Sequence, residues 1–292
     1  MKAMYWESSM SAIRPELFQS YSLETTAKDA AGFVHTRALM PEGVPVNIAF
    51  IGSETFDDRL TAIGTLRSCG ASPRPIISAR RLTSSDVLGS FLERAVAIGK
   101  VREIFLVGGD PSTPKGPFND SMDIIRGGFL DPRIIETVGI AGYPEGHPRV
   151  DDDVLWGYLK LKVETLMRNG FNVEITTQLS FDPDAVVSWV ERVRREGIHV
   201  PIRIGIPGPS TVGGILHFAR QCRVGTSIQL LRRFGWQITS LLTEVGPDRF
   251  LASLIQETAQ RDLGAMRLHI FPLGDLSRSI NWFHEYEASH YS

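Results

Sequence analysis

The sequence predicts an α/β fold, a single (β/α)8 TIM barrel with an N-terminal extension and extra helices before the last strand. Strand-type and helix-type patterns alternate along the 292 residues, and helices between buried strands impose parallel, right-handed crossovers. Eight such units close naturally into a barrel, whose usual length of about 250 residues fits this chain. An open, doubly wound sheet is the competing architecture. No linker divides the chain, so we expect an N-terminal arm over 1–19 and one barrel catalytic domain over 20–292.

The predicted strands are segments with strand-type patterns, some of them short apolar runs bounded by turn residues. They lie at 20–24, 44–51, 74–78, 103–107, 137–141, 172–178, 201–206 and 266–271. The clearest predicted helices lie between them, at 83–98, 154–168 and 183–196. The second half of the chain needs more helices, because the segment between 208 and 266 is too long for one. We expect at least two helices there, around 211–222 and 247–262.

Two of these helices carry clear start signals. Residues 83–86 read Thr-Ser-Ser-Asp, which is typical of a helix start, and apolar residues follow at helical spacing. Asp182 stands ahead of Pro183, which places an N-cap before a proline at the first helical position. Both helices therefore begin at positions that local chemistry predicts.

The composition limits the class of protein. Lys and Arg number 31 against 33 Asp and Glu, a balance that argues against a nucleic-acid or anionic-membrane partner. The two cysteines, Cys69 and Cys222, fall outside any C-x-x-C pattern and fit a reducing compartment. The first twenty residues lack a signal-peptide pattern, and no run approaches the roughly 20 apolar residues of a membrane helix. We therefore expect a soluble cytoplasmic protein.

Asp110 is the most informative residue. It follows the apolar run 103–107 and the pair Gly108 and Gly109, so a carboxylate ends a buried strand on a backbone without side chains. Such glycines allow a ligand to approach the main chain closely. The carboxyl ends of parallel strands are where α/β enzymes hold their active sites. The alternative is a tight turn whose aspartate caps the next helix.

The ends of other predicted strands carry further polar side chains, but they include no catalytic nucleophile and no cluster of metal ligands. Glu24 and Gln178 join Asp110 at this edge of the predicted barrel, and His147 has no partner His or Cys at metal-ligand spacing. No G-x-S-x-G, P-loop or G-x-G-x-x-G motif occurs in a supporting context. Acids and an amide of this kind suit a planar, hydrogen-bonding heterocycle, with the bond-making chemistry supplied by a cofactor.

Four segments resemble the methylenetetrahydrofolate reductase family. Residues 22–24 read Ser-Leu-Glu, and residues 106–110 read Leu-Val-Gly-Gly-Asp. Residues 141–148 read Ala-Gly-Tyr-Pro-Glu-Gly-His-Pro, the most specific match of the four, and residues 177–182 read Thr-Gln-Leu-Ser-Phe-Asp. The resemblance spans about residues 20 to 285, and the length is similar to that of the short bacterial type.

The resemblance implies a flavoprotein oxidoreductase of one-carbon metabolism and methionine biosynthesis. FAD in the barrel mouth would be reduced by NADH or NADPH and would pass hydride to 5,10-methylenetetrahydrofolate, which gives 5-methyltetrahydrofolate. Glu24 and Asp110 are then catalytic, Gln178 and Asp110 bind the folate, and the charge of Asp110 lowers the flavin potential. The implied FAD-binding residues are Gly108, Gly109, Ala141, Tyr143, His147 and Lys162. Barrels of this family commonly associate, so a homo-oligomer is also expected.

The chain departs from the family pattern at several positions. Ala49 stands in place of a usual Thr, residues 76–78 replace a segment with a common His, and Gly108 occupies a position where many members have Arg. These changes reduce the number of contacts that the resemblance leads us to expect between the protein and a flavin. A flavin-independent, tetrahydrofolate-dependent methyltransferase or demethylase on a related barrel is therefore the alternative function. A non-catalytic folate-binding protein is a third possibility, which the retained Glu24 and Asp110 disfavour.

Overall fold

The computed structural model describes residues 17–18, 20–52, 54–211, 213–216, 244–259, 261–273 and 275–291. The strands within these ranges are β1 (Tyr21–Thr25), β2 (Pro45–Ile48), β3 (Ser72–Ser78), β4 (Glu103–Val107), β5 (Thr137–Gly142), β6 (Asn172–Thr177), β7 (Ile202–Pro207), β8 (Ser210–Thr211), β9 (Glu244–Val245) and β10 (Met266–Phe271). Eight of them form a closed barrel in the order β1-β10-β7-β6-β5-β4-β3-β2. This parallel barrel confirms the predicted TIM barrel and excludes the open sheet.

Helices alternate with these strands. They are α1 (Phe33–Thr36), α2 (Phe56–Ser68), α3 (Ser85–Gly99), α4 (Ser121–Arg126), α5 (Asp152–Arg168), α6 (Pro183–Arg195), α7 (Asp248–Thr258) and α8 (Leu276–Tyr291), with 3-10 helices at Ala30–Gly32, Arg37–Leu39 and Ala79–Arg81. The predicted helices at 83–98, 154–168, 183–196 and 247–262 correspond to α3, α5, α6 and α7. The helix predicted at 211–222 and the arm predicted at 1–19 lie largely outside the described residues. Among the helices of the described ranges, none is long and apolar enough to cross a membrane.

Helix starts are fixed by local capping, as the sequence predicts. The Ser84 hydroxyl accepts a hydrogen bond from the backbone N–H of Val87 at 3.2 Å at the start of α3. At the start of α6, the Asp182 carboxylate accepts from the N–H groups of Asp184 and Ala185. Each cap satisfies a backbone donor that has no partner inside the helix.

The strand predicted at 44–51 ends earlier, at Ile48. In the loop that follows, the Glu54 carboxylate accepts hydrogen bonds from the N–H groups of Ala27 at 2.9 Å and Ile51 at 3.2 Å. Glu54 thereby ties the loop after β1 to the loop after β2. The Ala49 N–H still donates to the Thr25 carbonyl of β1 at 2.8 Å, whereas the Ile51 N–H is bonded by a side chain and not by the sheet.

The described chain divides into two compact units, of which the first comprises residues 22–141 and 156–175. A buried charged cluster lies within it. Arg74 on β3, whose side chain is 2% exposed, donates to the carboxylates of Glu103 on β4 and Glu174 on β6, the latter at 2.6 Å. Burial alone lowers the pKa of Arg74, but Glu174 and Glu103 more than offset it, so this pKa lies above its ordinary value.

An apolar cluster lies further along the same strands. Ala49, Ile76 and Phe105 are buried together, and Val107 and Ala141 pack against them. Ile76 and Phe105 each follow a member of the charged cluster by two residues, which places them on the same face of the sheet. Phe105 packs so closely over Gly139 that a Cβ atom there would lie 2.4 Å from the ring. The strand ends that follow are therefore supported by an ordered core.

The second unit comprises the described residues of 1–21, 142–155 and 176–292. Strand β7 pairs with β10 in parallel, from Ile202 opposite Met266 to Pro207 opposite Phe271. Helix α6 packs against α7. The Tyr21 ring of β1 lies 4.4 Å from the Phe283 ring of α8, measured between centroids. This aromatic contact ties the start of β1 to the last helix.

Candidate active site

The second unit holds a cavity of about 580 Å³ at the carboxyl ends of β5 and β6. Two segments supply its walls, the loop after β5 and the turn after β6. The lining residues are Tyr143, Pro144, Glu145, Gly146, His147, Pro148, Asp152, Gln178, Leu179 and Ser180. The volume falls within the range of roughly 300–1,000 Å³ that is usual for small-molecule sites. Its position is where TIM barrels hold their active sites.

Glu145 holds the two segments of the cavity together. One carboxylate oxygen accepts hydrogen bonds from the Ser180 hydroxyl and from the backbone N–H groups of Phe181 at 2.8 Å and Asp182 at 3.3 Å. The Gln178 N–H also donates to the Gly142 carbonyl at 2.9 Å. Sequence reasoning missed this role of Glu145. The sequence feature that could have indicated it is the pair of backbone N–H groups of Phe181 and Asp182, just before α6. These donors need an acceptor, and the neighbouring residues supply one only in part.

Tyr143 and His147 form the aromatic side of the cavity. Their rings meet edge to face with centroids 5.3 Å apart, and burial raises the pKa of the Tyr143 phenol. The Nδ1 atom of His147 accepts a hydrogen bond from the N–H of Arg149 at 3.2 Å. The neutral imidazole therefore carries its proton on Nε2, which makes that nitrogen a hydrogen-bond donor.

Asp110 lies in the first unit, just beyond the end of β4. Its carboxylate receives two hydrogen bonds from Arg81, Nε to Oδ1 and Nη2 to Oδ2, both at 3.0 Å. The N-cap of the next helix, α4, is Asp120. The alternative interpretation of Asp110 as a helix cap is therefore wrong. Sequence reasoning also missed Arg81, which reaches Asp110 from the 3-10 helix after β3.

The backbone before Asp110 has the features of a close-approach site. Gly109 has φ +98°, and a Cβ atom there would lie 2.1 Å from the Ser78 hydroxyl oxygen. A Cβ atom on Gly108 would meet nothing within 4 Å. The Ser78 oxygen is itself buried, and within the described part of the chain it has no hydrogen-bond partner. A buried hydroxyl in this state suits a polar ligand atom.

Gly109→Ala is expected to destabilise the protein by about 2–3 kcal/mol, because alanine resists this positive φ and its methyl group collides with Ser78. Urea unfolding of the ligand-free protein measures the loss. Gly108→Ala is the matched control and should stay within about 0.5 kcal/mol of wild type. Equal stability of the two variants would contradict the proposed steric role of Gly109.

Glu24 and Lys162 lie on other elements of the first unit. Glu24 is half-buried near the end of β1, where it pairs in register with Asn47 of β2. Lys162 lies on α5 with its ammonium 5.6 Å from the centroid of the Tyr158 ring. Burial lowers the pKa of Lys162, and the Asp120 carboxylate opposes this shift. Asp120 also accepts a hydrogen bond from the Tyr158 hydroxyl at 3.0 Å.

The predicted site residues thus group within each unit. In the second unit, Tyr143, His147 and Gln178 line one cavity. In the first unit, Gly108, Gly109 and Asp110 form one strand end, and Ala141 packs against the apolar cluster defined above. No group of three or more His, Cys, Asp or Glu side chains could hold a metal ion within the ranges that the structure describes.

Comparison with solved structures places the fold among barrels of known structure. A protein from Clostridium thermocellum, described as binding two copies of 5-methyl-5,6,7,8-tetrahydrofolic acid, matches with a TM-score of 0.61. The match covers 92% of this chain and 96% of that chain at 12% sequence identity, which shows a shared fold alone. The chain is thus a (β/α)8 barrel protein with a ligand-sized cavity at its strand ends.

Sequence comparison then gives the family. Residues 81–270 match the family described as Methylenetetrahydrofolate reductase, and because this match covers well over half of the chain, the chain belongs to that family. Methylenetetrahydrofolate reductase 1 of Schizosaccharomyces pombe is 34% identical over 132 residues, which are 42% of this chain and 21% of that protein. Methylenetetrahydrofolate reductase 2 of Saccharomyces cerevisiae is 29% identical over 209 residues, 64% of this chain and 32% of that protein. The chain therefore spans a third or less of these curated relatives.

Proposed function

We propose that the protein catalyses the flavin-dependent reduction of 5,10-methylenetetrahydrofolate to 5-methyltetrahydrofolate, with NADH or NADPH as reductant. The observation that carries the proposal is the cavity of the second unit. Its walls are residues 143–148 and 178–180, which belong to two of the four segments that resemble the family. Two motifs that are separate in sequence thus line one ligand-sized space, as a shared ligand requires.

The residues present fit FAD, which supplies hydride-transfer chemistry when bound. The buried Ser78 hydroxyl offers a hydrogen-bonding atom to a polar ring, and Gly108 leaves open space beside it. The Nε2 donor of His147 and the cationic Lys162 suit the oxygen-rich ribityl and pyrophosphate parts of the cofactor. A bound pyrophosphate would stabilise the charged form of Lys162 in particular, because a nearby anion opposes the effect of burial, which lowers the pKa of this residue.

The roles proposed for the chain's own side chains concern the folate. Glu24 donates a proton to the folate nitrogen that departs when the bridging ring opens to an iminium. Asp110 accepts hydrogen bonds and favours that cation. Gln178, which lines the cavity, pairs with the pterin because its amide both donates and accepts along one edge.

The visible spectrum of the purified full-length chain tests the proposal. We expect a yellow protein, or one that turns yellow and retains the colour after incubation with FAD and gel filtration. NADH or NADPH should bleach the flavin bands, and added methylenetetrahydrofolate should restore them. A colourless protein that takes up no added FAD but binds tetrahydrofolate would instead favour the flavin-independent methyl transfer alternative. A protein that binds neither ligand would exclude both functions.

A further inference from the structure

Arg81 is held on three sides in the first unit. Its guanidinium donates twice to the Asp110 carboxylate, and Nη1 donates to the Gly52 carbonyl at 3.0 Å. The guanidinium carbon lies 5.2 Å from the centroid of the Phe50 ring, within the range of a cation–π contact. The Arg81 side chain is 10% exposed, whereas that of Asp110 is 69% exposed. An ordered, largely buried guanidinium therefore holds a solvent-exposed carboxylate in place.

This geometry restricts Asp110 more strongly than its own backbone does. Gly108 and Gly109 precede it and contribute no side-chain packing, so contacts from other elements determine the rotamer of Asp110. A planar guanidinium that bonds both carboxylate oxygens fixes the direction of the carboxylate plane as well as its position. Because Gly52 and Phe50 already order Arg81, little additional entropy is lost when it binds Asp110.

The same contact changes the charge that a ligand meets. An isolated carboxylate would attract a cationic iminium and repel a reduced, anionic flavin with its full charge. Because the Arg81 guanidinium lies 3.0 Å from the Asp110 carboxylate, a distant ligand atom experiences a nearly neutral ion pair. A ligand atom in contact with the carboxylate can still form directional hydrogen bonds with it. Arg81 thereby limits the long-range effect of Asp110 that the resemblance implies.

We propose that Arg81 is a positioning residue for Asp110, which orients this carboxylate for the folate and balances its charge. The proposal deepens the function proposed above and rests on it. Arg81 acts through Asp110, so removal of Arg81 should matter only while Asp110 is present.

Nuclear magnetic resonance of the full chain with ¹⁵N-labelled arginine tests the pair itself, without any ligand. Arg81→Lys identifies the Nε–H signal of Arg81 by its loss. Asp110→Ala is expected to shift that signal or to broaden it through faster exchange with water. Arg94→Lys is the matched control, because Arg94 forms a surface ion pair with Asp57 and its loss should leave the Arg81 signal in place. An Arg81 signal that Asp110→Ala leaves unchanged overturns the proposal.

A double-mutant cycle tests the positioning role. Dissociation constants for 5-methyltetrahydrofolate are measured for wild type, Arg81→Met, Asp110→Ala and the double variant. Arg81→Met is expected to weaken binding about 10-fold, and the double variant should bind within about 2-fold of Asp110→Ala, because contacting residues are not additive. Arg94→Met should bind within about 2-fold of wild type.

The two failures are distinguishable. The positioning role alone is overturned if the wild-type protein binds folate and FAD but the double variant loses affinity by the product of the two single-variant losses. A wild-type protein that binds neither folate nor FAD overturns the proposed function, and with it the positioning role. A thermal unfolding curve for Arg81→Met that matches wild type shows that weaker binding does not come from loss of the fold.

Discussion

Arg74→Met is expected to lower the free energy of unfolding by about 3–5 kcal/mol, the usual cost of removing one partner from a buried ion pair. The substitution keeps an unbranched apolar stem but removes the guanidinium, which leaves Glu103 and Glu174 without their shared cation. The Glu174 side chain is 7% exposed, so water cannot replace the lost hydrogen bonds fully. Urea unfolding at neutral pH measures the loss.

The matched control for Arg74 is Arg102→Met, which breaks an ion pair with Glu136 on the surface of the same unit. The Arg102 side chain is 61% exposed, and pairs of this kind contribute between 0 and about 1 kcal/mol. Replacement of all three members of the buried cluster by apolar residues should recover much of the loss, because no charge then remains buried. If Arg74→Met costs no more than Arg102→Met, the cluster is not a stabilising feature.

Glu24→Gln is expected to reduce the rate of folate reduction by about 10²- to 10⁴-fold, the usual contribution of a general acid. Glutamine keeps the size and much of the hydrogen bonding of glutamate, but it cannot deliver a proton to the departing folate nitrogen. Stopped-flow measurement separates the two half-reactions. Flavin reduction by NADH or NADPH should persist, and only the oxidation of the reduced flavin by methylenetetrahydrofolate should slow.

Glu93→Gln serves as the control for Glu24, because Glu93 is exposed on α3 and has no proposed role. Its two half-reactions should match those of wild type. Equal loss of both half-reactions in Glu24→Gln would reject the general-acid role and indicate damage to flavin binding instead.

Local signals explain why much of the fold could be predicted from the sequence. Strands β4 and β10 have the predicted bounds because each has a local strand pattern, four apolar residues after Glu103 in β4 and alternating apolar residues up to Phe271 in β10. The starts of α3 and α6 follow from Ser84 and Asp182, whose capping contacts span at most three residues. Features of this kind depend on neighbours in the chain, and a single sequence contains them.

Long-range contacts explain what could not be predicted. Glu174 bonds Arg74 across 100 positions, and Arg81 bonds Asp110 across 29. A charged residue gives no local indication of a partner so far away, because the two come together only when the strands pair in the folded protein. The same holds for Glu145, whose bonds reach the turn before α6 across 35 to 37 positions.

Glu145 has a consequence for how a ligand enters the cavity. Its carboxylate accepts hydrogen bonds from the turn ahead of α6. Outward movement of the loop after β5 would therefore break the bonds from the N–H groups of Phe181 and Asp182. The recess is consequently preorganised, and an arriving molecule meets walls already in their final arrangement. Little ordering entropy is left to lose on association, which favours rapid capture over a slow closing motion.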